Sequence, residues 1–294
     1  MPFRLAVLAA CAAVSVAAVA YAVSEARLER TYAVEPAALV VRSDAASLER
    51  GRHLVRVVGQ CTTCHGDDLA GQKLADDAWI GRLYASNLTP GEGGLRDHTT
   101  ADLVRSIRHG VKRDGRSVRM MPSHYLSRLS DTDLAAIIAY LRALSPVDGA
   151  VPPERVGPLA RLALSLGRAP GLLPAGLIED AGAPPGAPPP GPTAEYGSYL
   201  VDAGGCRVCH RDDLSGGLHP LSLPGEPPPS DLTPSGPTAE WSERDFISAL
   251  RTGATPDGRR LDPEFMPWRS LSKLTDLELR AIWRYLRSLP RART

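Results

Sequence analysis

Read as a string of apolar and polar positions, the chain opens with about nineteen uncharged, mostly apolar residues, 5–23, before periodic patterns begin. A run of that length is near the minimum that spans a bilayer as a helix. Further on, Leu48, Leu54, Val55 and Val58 fall at helical spacing. The same period returns in Leu134, Ile137, Ile138 and Leu141, and again in Leu279, Ile282 and Leu286. The last two helices have readable starts. Ser130 with Asp133, and Thr275 with Glu278, have capping-box spacing, in which each side chain bonds the other residue's backbone N–H. Leu129 with Leu134, and Leu274 with Leu279, stand where a hydrophobic staple closes. Gly51, inside the earlier pattern, offers a place where another backbone can approach closely.

These patterns are one pattern written twice. At a shift of about 145 residues, Gly51, Leu54 and Val55 meet Gly197, Leu200 and Val201, and "SNLTP" from Ser86 meets "SDLTP" from Ser230. "ADLVRSIRHGVKRDGR" pairs with "RDFISALRTGATPDGR", and "LSRLSDTDLAAIIAYLRAL" with "LSKLTDLELRAIWRYLRSL". Two copies are too few for a solenoid, so the expectation is two self-contained, mostly helical domains, residues 45–147 and 194–291. The connector, 148–193, holds eleven prolines and ends in "GAPPGAPPPGPT", which favours extended, semi-rigid backbone. Its middle, "VGPLARLALSLGRAPGLLPAGLIED", is too apolar for a free linker. It predicts a short amphipathic helix packed on the first domain, with a membrane surface or a partner as the alternative contact.

Residues 1–30 form the apolar leader. Arg4 on its short side places the bulk of the chain outside the cytoplasm by the positive-inside tendency. Ala20, Tyr21 and Ala22 resemble a small-x-small cleavage site, while the length of the run favours a retained anchor. Leu8, Ala9, Ala10 and Cys11 also resemble a lipoprotein box, although the apolar stretch before Cys11 is very short. Lys and Arg number 34 against 33 acidic residues, and the net charge of +1 gives no global field for nucleic acid. Aromatic residues are only 5%, thin for filling two small cores, so a further group in the middle of each domain is expected.

Four of the five cysteines form two C-x-x-C pairs, each followed by histidine: Cys61, Cys64 and His65, then Cys206, Cys209 and His210. Half of a zinc site, a redox dithiol and a covalent haem attachment site are the competing readings. A four-thiolate zinc site would require the two domains to share one metal. A redox dithiol needs no histidine there, and no thioredoxin-like strand precedes the pairs. Haem accounts for every element, because two thiols a helical turn apart reach two vinyl groups and the next imidazole points at the iron. A ligand for the opposite face is found by offset: Met121 and Met266 lie sixty residues after Cys61 and Cys206, which selects Met121 over Met120. Pro122 and Pro267 follow and stiffen the presenting loop. His53, His98, His109 and His124 have no counterpart in the second copy, and His219 has none in the first. They read as solvated or core histidines, with His124 and His219 the alternative ligands.

With C-x-x-C-H, the N/D-L-T-P segment, the Met-Pro pair and the final helix in place, both halves resemble class I c-type cytochrome domains. The whole chain is similar to bacterial membrane-anchored dihaem cytochromes c, over roughly residues 45–145 and 192–290. The resemblance implies an all-α fold: two tandem domains, each wrapped around one covalent haem c and preceded by an N-terminal apolar helix. The first and last helices of each domain would cross near Gly51 and Tyr140, or Gly197 and Tyr285. It further implies that a carbonyl near Pro90 or Pro234 accepts the Nδ1 proton of His65 or His210. Two haem c groups with His/Met iron have no open position, leaving one-electron exchange, and a thioether ligand raises the potential. The expected role is electron transfer, not catalysis, at the periplasmic face of a bacterial membrane. The donor would be a dehydrogenase or quinol-oxidising complex, and the acceptor a terminal oxidase or other redox protein. The alternatives are a cytochrome subunit of a membrane dehydrogenase, or a dihaem enzyme of peroxidase or thiosulfate-oxidising type, which needs an open iron or an unusual ligand.

Overall fold

The computed structural model describes residues 2–178, 186–217 and 227–291. Its first helix, α1 (Pro2–Leu28), is long and apolar enough to cross a membrane and stands free of the rest along its apolar length. Only its final turns dock, with Ser24 and Leu28 buried. The chain then runs extended over the first domain, Tyr32 N–H donating to Gly115 O at 2.8 Å and Arg105 Nε to Val34 O at 3.1 Å.

Asp44 starts α2 (Ala45–His53) by accepting from Ser47 N–H at 2.9 Å. A π-helical turn, Leu54–Val58, continues it and leads to the short α3 (Cys61–His65). The corresponding helix of the second copy, α8 (Ala194–Ala203), has no such turn. The first copy has one residue more between its glycine and its first cysteine, and a wider turn absorbs one residue without breaking the helix. Strands β1 (Gln72–Asp77) and β2 (Gly81–Ala85) form an antiparallel hairpin, joined by β3 (Arg155–Val156) from the connector. This small sheet is an addition to a fold that is otherwise helical, as expected. Helix α4 (Thr100–His109) has a complete capping box of Thr99 and Asp102 and stops at Gly110, whose φ of 65° suits glycine. Helices α5 (Ser123–Leu126) and α6 (Asp131–Arg142) complete the first copy.

The connector forms α7 (Pro158–Ser165), which lies against the end of α1 and the sheet. Leu28, Leu83, Val156, Ala160, Leu164 and Leu172 bury one another there as a second, smaller core. The second copy repeats the order: α8 (Ala194–Ala203), α9 (Cys206–His210), α10 (Glu243–Thr252), α11 (Trp268–Leu271) and α12 (Asp276–Ser288). In α12 the capping box of Thr275 and Glu278 is complete. In α6 only half of it forms: Ser130 accepts from Asp133 N–H at 3.1 Å, while the Asp133 carboxylate turns to Arg50 at 2.7 and 2.8 Å.

First and last helices cross at glycine in both copies. A Cβ on Gly51 would lie 2.0 Å from Ala136 O, and one on Gly197 would lie 2.0 Å from Ala281 O, so no side chain fits at either crossing. Around these points Leu54, Val55, Leu134 and Ile138, and likewise Leu200, Val201, Leu279 and Ala281, are almost wholly buried. Each buried Leu or Ile side chain contributes about 1.5–3 kcal/mol.

The copies are less separate than the sequence suggests, since their buried residues join in one cluster. His53 Nε2 meets the Glu278 carboxylate at 2.8 Å, and at the corresponding positions Tyr199 hydroxyl donates to Asp133 Oδ2 at 2.6 Å. Reciprocal contacts between equivalent residues are the mark of an approximate two-fold relation. Arg128 adds a 2.8 Å ion pair to Asp202, and the Tyr125 hydroxyl donates to Asp212.

Replacing Gly197 by Ala should lower the stability of the second domain by about 3 kcal/mol, because the backbone contact cannot relax. Urea unfolding followed by circular dichroism checks this; an unchanged midpoint would mean the helices do not touch there. Burial alone would push the Glu278 carboxyl up, but His53 and the Thr275 backbone N–H more than offset it and hold it below the ordinary value of 4.5. A depressed folded pKa adds stability that is complete above the unfolded value and is lost as pH falls through the folded one. The urea midpoint should therefore drop below about pH 4.5, and Glu278→Gln should flatten that acid limb.

Candidate haem-attachment sites

Each attachment segment is a single helical turn held between two left-handed residues. Gln60 (φ 49°) and Gly205 (φ 63°) precede Cys61 and Cys206, and Gly66 (φ 83°) and Arg211 (φ 69°) follow the histidines. The loop then closes identically in both copies. Gly71 N–H donates to His65 O at 2.9 Å, and Gly216 N–H to His210 O at 3.0 Å. Leu69 and Leu214, both at φ 61° and fully buried, peg the loop to the core. Non-glycine residues held at positive φ cost energy and persist only where the surroundings over-determine them.

The N/D-L-T-P segment is the second wall. Asn87 Oδ1 accepts from Thr89 N–H at 2.8 Å and Asp231 Oδ1 from Thr233 N–H at 2.7 Å, the same side-chain turn, which explains why Asn and Asp alternate there. Leu88 N–H donates to Leu69 O at 2.8 Å, and Leu232 N–H to Leu214 O at 2.9 Å. These ties bring the serine carbonyls to the imidazoles: His65 Nδ1 lies 2.7 Å from Ser86 O and His210 Nδ1 lies 2.8 Å from Ser230 O. The carbonyl expected near Pro90 and Pro234 is thus that of the residue four positions earlier, Ser86 and Ser230. Backbone atoms leave no trace in composition; only the shared Ser at the head of both segments hinted at it. With Nδ1 engaged, each ring keeps Nε2 without a partner among the described residues. Burial lowers the pKa of both imidazoles, against the raising effect of the serine carbonyls.

Met121 and Met266 sit in matching turns. Ser123 N–H donates to Met121 O at 2.8 Å across Pro122 (φ −78°, ψ 47°), and Trp268 N–H to Met266 O at 2.6 Å across Pro267 (φ −75°, ψ 51°). Both are inverse γ-turns. Both methionines pack against the core, whereas Met120 is 46% exposed, in line with the offset that separates the two. His124 is half-buried beside the Tyr125 ring, 4.0 Å between centroids, with its Nδ1 unpartnered among the described residues. His219 lies outside the described residues.

Sequence reasoning missed the arginines that brace the attachment loops. Arg56 donates to the Tyr140 hydroxyl at 2.6 Å and to Asp67 O at 3.0 Å; Arg207 makes the same two bonds in the second copy, to Tyr285 and Asp212 O. The guanidinium comes from different sequence positions, so the register of the repeats conceals it. The two attachment segments also face each other. Gln60 Nε2 lies 3.5 Å from Gly204 O, and burial followed by the nearby Cys209 raises the Cys64 thiol. Burial pushes the Cys61 and Cys206 thiols up to about 12.

The donor set fits a covalently held haem in each copy: paired thiols on one turn, an imidazole half-buried at His65 and buried at His210 whose Nε2 has no partner among the described residues, and a thioether against the core. Comparison with known proteins points the same way. Residues 46–141 match the family model described as cytochrome c oxidase, cbb3-type, subunit III, and residues 194–290 match the model for cytochrome c. The diheme cytochrome c-type of Cereibacter sphaeroides is 28% identical over 260 residues, 79% of this chain and 82% of that one. The chain is a dihaem c-type cytochrome.

One of the nicotinate dehydrogenase subunits of Pseudomonas putida is 30% identical over 267 residues, and the fructose dehydrogenase cytochrome subunit of Gluconobacter japonicus 29% over 266. Each match covers 83% of this cytochrome, which spans 21% of the first relative and 53% of the second. The cytochrome holds two covalently bound haem c groups and serves electron transfer.

Arg211 occupies φ 69° and ψ 167°, a region that is essentially glycine's, where Gly66 stands in the first copy. Arg211→Gly should raise stability by about 1 kcal/mol by releasing that strain. A higher thermal midpoint with two haems still attached is the expected result.

Proposed function

We propose that His65 with Met121, and His210 with Met266, are the axial pairs of the two haems, and that the protein relays single electrons through them. The observation that carries this is the duplicated geometry: the same serine-bound imidazole and the same γ-turn methionine recur in both copies. Haem supplies the one-electron chemistry. The chain does the rest. Ser86 and Ser230 carbonyls fix each imidazole's tautomer and orientation, and raise its basicity as a ligand. The Met-Pro turns hold each sulfur, and the buried leucines limit water. Facing attachment segments give the relay a short internal path across the interface. The bracing arginines come from different positions in the two copies, Arg56 in one and Arg207 in the other, which supports unequal potentials.

The outer face of a bacterial membrane is the proposed location, with α1 retained as anchor. The proposed donor is a dehydrogenase or a quinol-oxidising complex, and the acceptor a terminal oxidase or another redox protein. Relatives named as cytochrome subunits of fructose dehydrogenase and of alcohol dehydrogenase (quinone) favour a dehydrogenase as donor. With His65, Met121, His210 and Met266 as the proposed ligands, no iron position would be left for substrate, so peroxidase-type catalysis is not part of the proposal.

Met121→Ala and Met266→Ala should each open one iron to carbon monoxide in the ferrous state and lower that haem's midpoint potential, leaving the other haem unchanged. Optical spectra and redox titration read both effects. Unaltered spectra in both variants would overturn the axial assignment and redirect attention to His124.

A further inference from the structure

We propose that the corner where α7 meets the last turns of α1 is a second membrane contact, seated in the phospholipid headgroup layer. The inference rests on the reading of α1 as a retained anchor and adds a surface to it. Depth is the first argument. At about 1.5 Å per residue, the stretch from Val23 to Leu28 rises about 7 Å, the thickness of the headgroup layer beyond the hydrocarbon that residues 5–23 would fill.

Helix α7 is clamped at that depth. The Arg161 guanidinium lies over the Tyr21 ring, 4.3 Å from its centroid, and bonds Glu25 at 2.7 Å and Ser24 at 3.2 Å. Arg27 Nη1 donates to Leu164 O at 2.6 Å. With Ala160 and Leu164 buried inward, Leu159, Leu162 and Leu166 form an outward stripe, 51%, 42% and 62% exposed. Trp79, 65% exposed, extends it, because its carbonyl accepts from Leu159 N–H at 2.9 Å. Three leucines in a stripe with Tyr and Trp at the same level have the composition of an interfacial helix and its aromatic belt.

Beside the stripe lies a cavity of about 380 Å³ lined by Lys112, Arg116, Arg119, Arg155 and Arg161, with Glu25, Glu29 and Glu154. The three acids are already paired, with Arg161, Arg116 and Arg119 respectively. Lys112 and Arg155 have no ion-pair partner among the described residues. Spare cations at headgroup depth suit lipid phosphate, and continuity with the apolar span favours a lipid surface over a protein as the cover.

The test uses the full chain with both haems and Cys11→Ser, carrying a nitroxide at Leu162→Cys, Leu166→Cys, Val14→Cys or Arg244→Cys. Each variant is reconstituted in vesicles of phosphatidylethanolamine and phosphatidylglycerol, with haem content confirming the fold. Collision with oxygen is compared with collision with a water-soluble nickel chelate. Labels at 162 and 166 should favour oxygen over nickel severalfold more than the label at 244, and the label at 14 more strongly still. A lipid-buried label at 14 with labels at 162 and 166 as nickel-accessible as that at 244 would overturn the headgroup seat while leaving the anchor standing. All four labels in water would remove the anchor, and the seat with it. Labels at 162 and 166 shielded from both reagents would show a protein cover and overturn the lipid assignment.

Discussion

Backbone-to-backbone contact at two glycines is the constraint on which the rest of this molecule hangs. Where α2 crosses α6 and α8 crosses α12, the position of a Cβ is occupied by a carbonyl oxygen of the partner helix. Helices that approach so closely fix each other's direction. One end of the crossing delivers the chain to the attachment cysteines, and the other carries the tyrosine that the bracing arginine holds. Each attachment turn is therefore built at the mouth of a rigid joint, a few helical residues beyond the crossing.

The duplication supplies more than a second cofactor. Equivalent surfaces of the two copies meet, so His53 and Tyr199, which look unrelated in the aligned repeats, reach the same acid position in the opposite copy. The chemistry has diverged while the geometry has persisted. Bringing the attachment segments face to face is what an electron relay requires, because transfer slows steeply with distance and tolerates little separation. A shared core also resists independent movement of the domains, which would lengthen that path.

Shared geometry with altered residues recurs at smaller scale. Arg56 and Arg207 arrive from different helices to tie a tyrosine and a loop carbonyl, and an additional residue in the first copy is stored as a π-helical turn. Strain is stored as well: Leu69 and Leu214 are held in a left-handed conformation by complete burial. The position after the histidine is met by glycine in one copy and by arginine in the other. The two leucines keep that conformation because packing on every side leaves them no other course.

Much of this is legible in the sequence. The C-x-x-C-H repeats, the sixty-residue offset to methionine, the caps at Ser130 and Thr275, and the glycines of the crossing are local signals, and local chemistry determines them. Tertiary structure alone decided which carbonyl meets each imidazole, which arginine braces each tyrosine, that Asp133 abandons its cap for Arg50, and that the connector seals α1 to the sheet. Those outcomes depend on atoms distant in sequence or on backbone groups common to every residue, and periodicity and spacing carry no information about either.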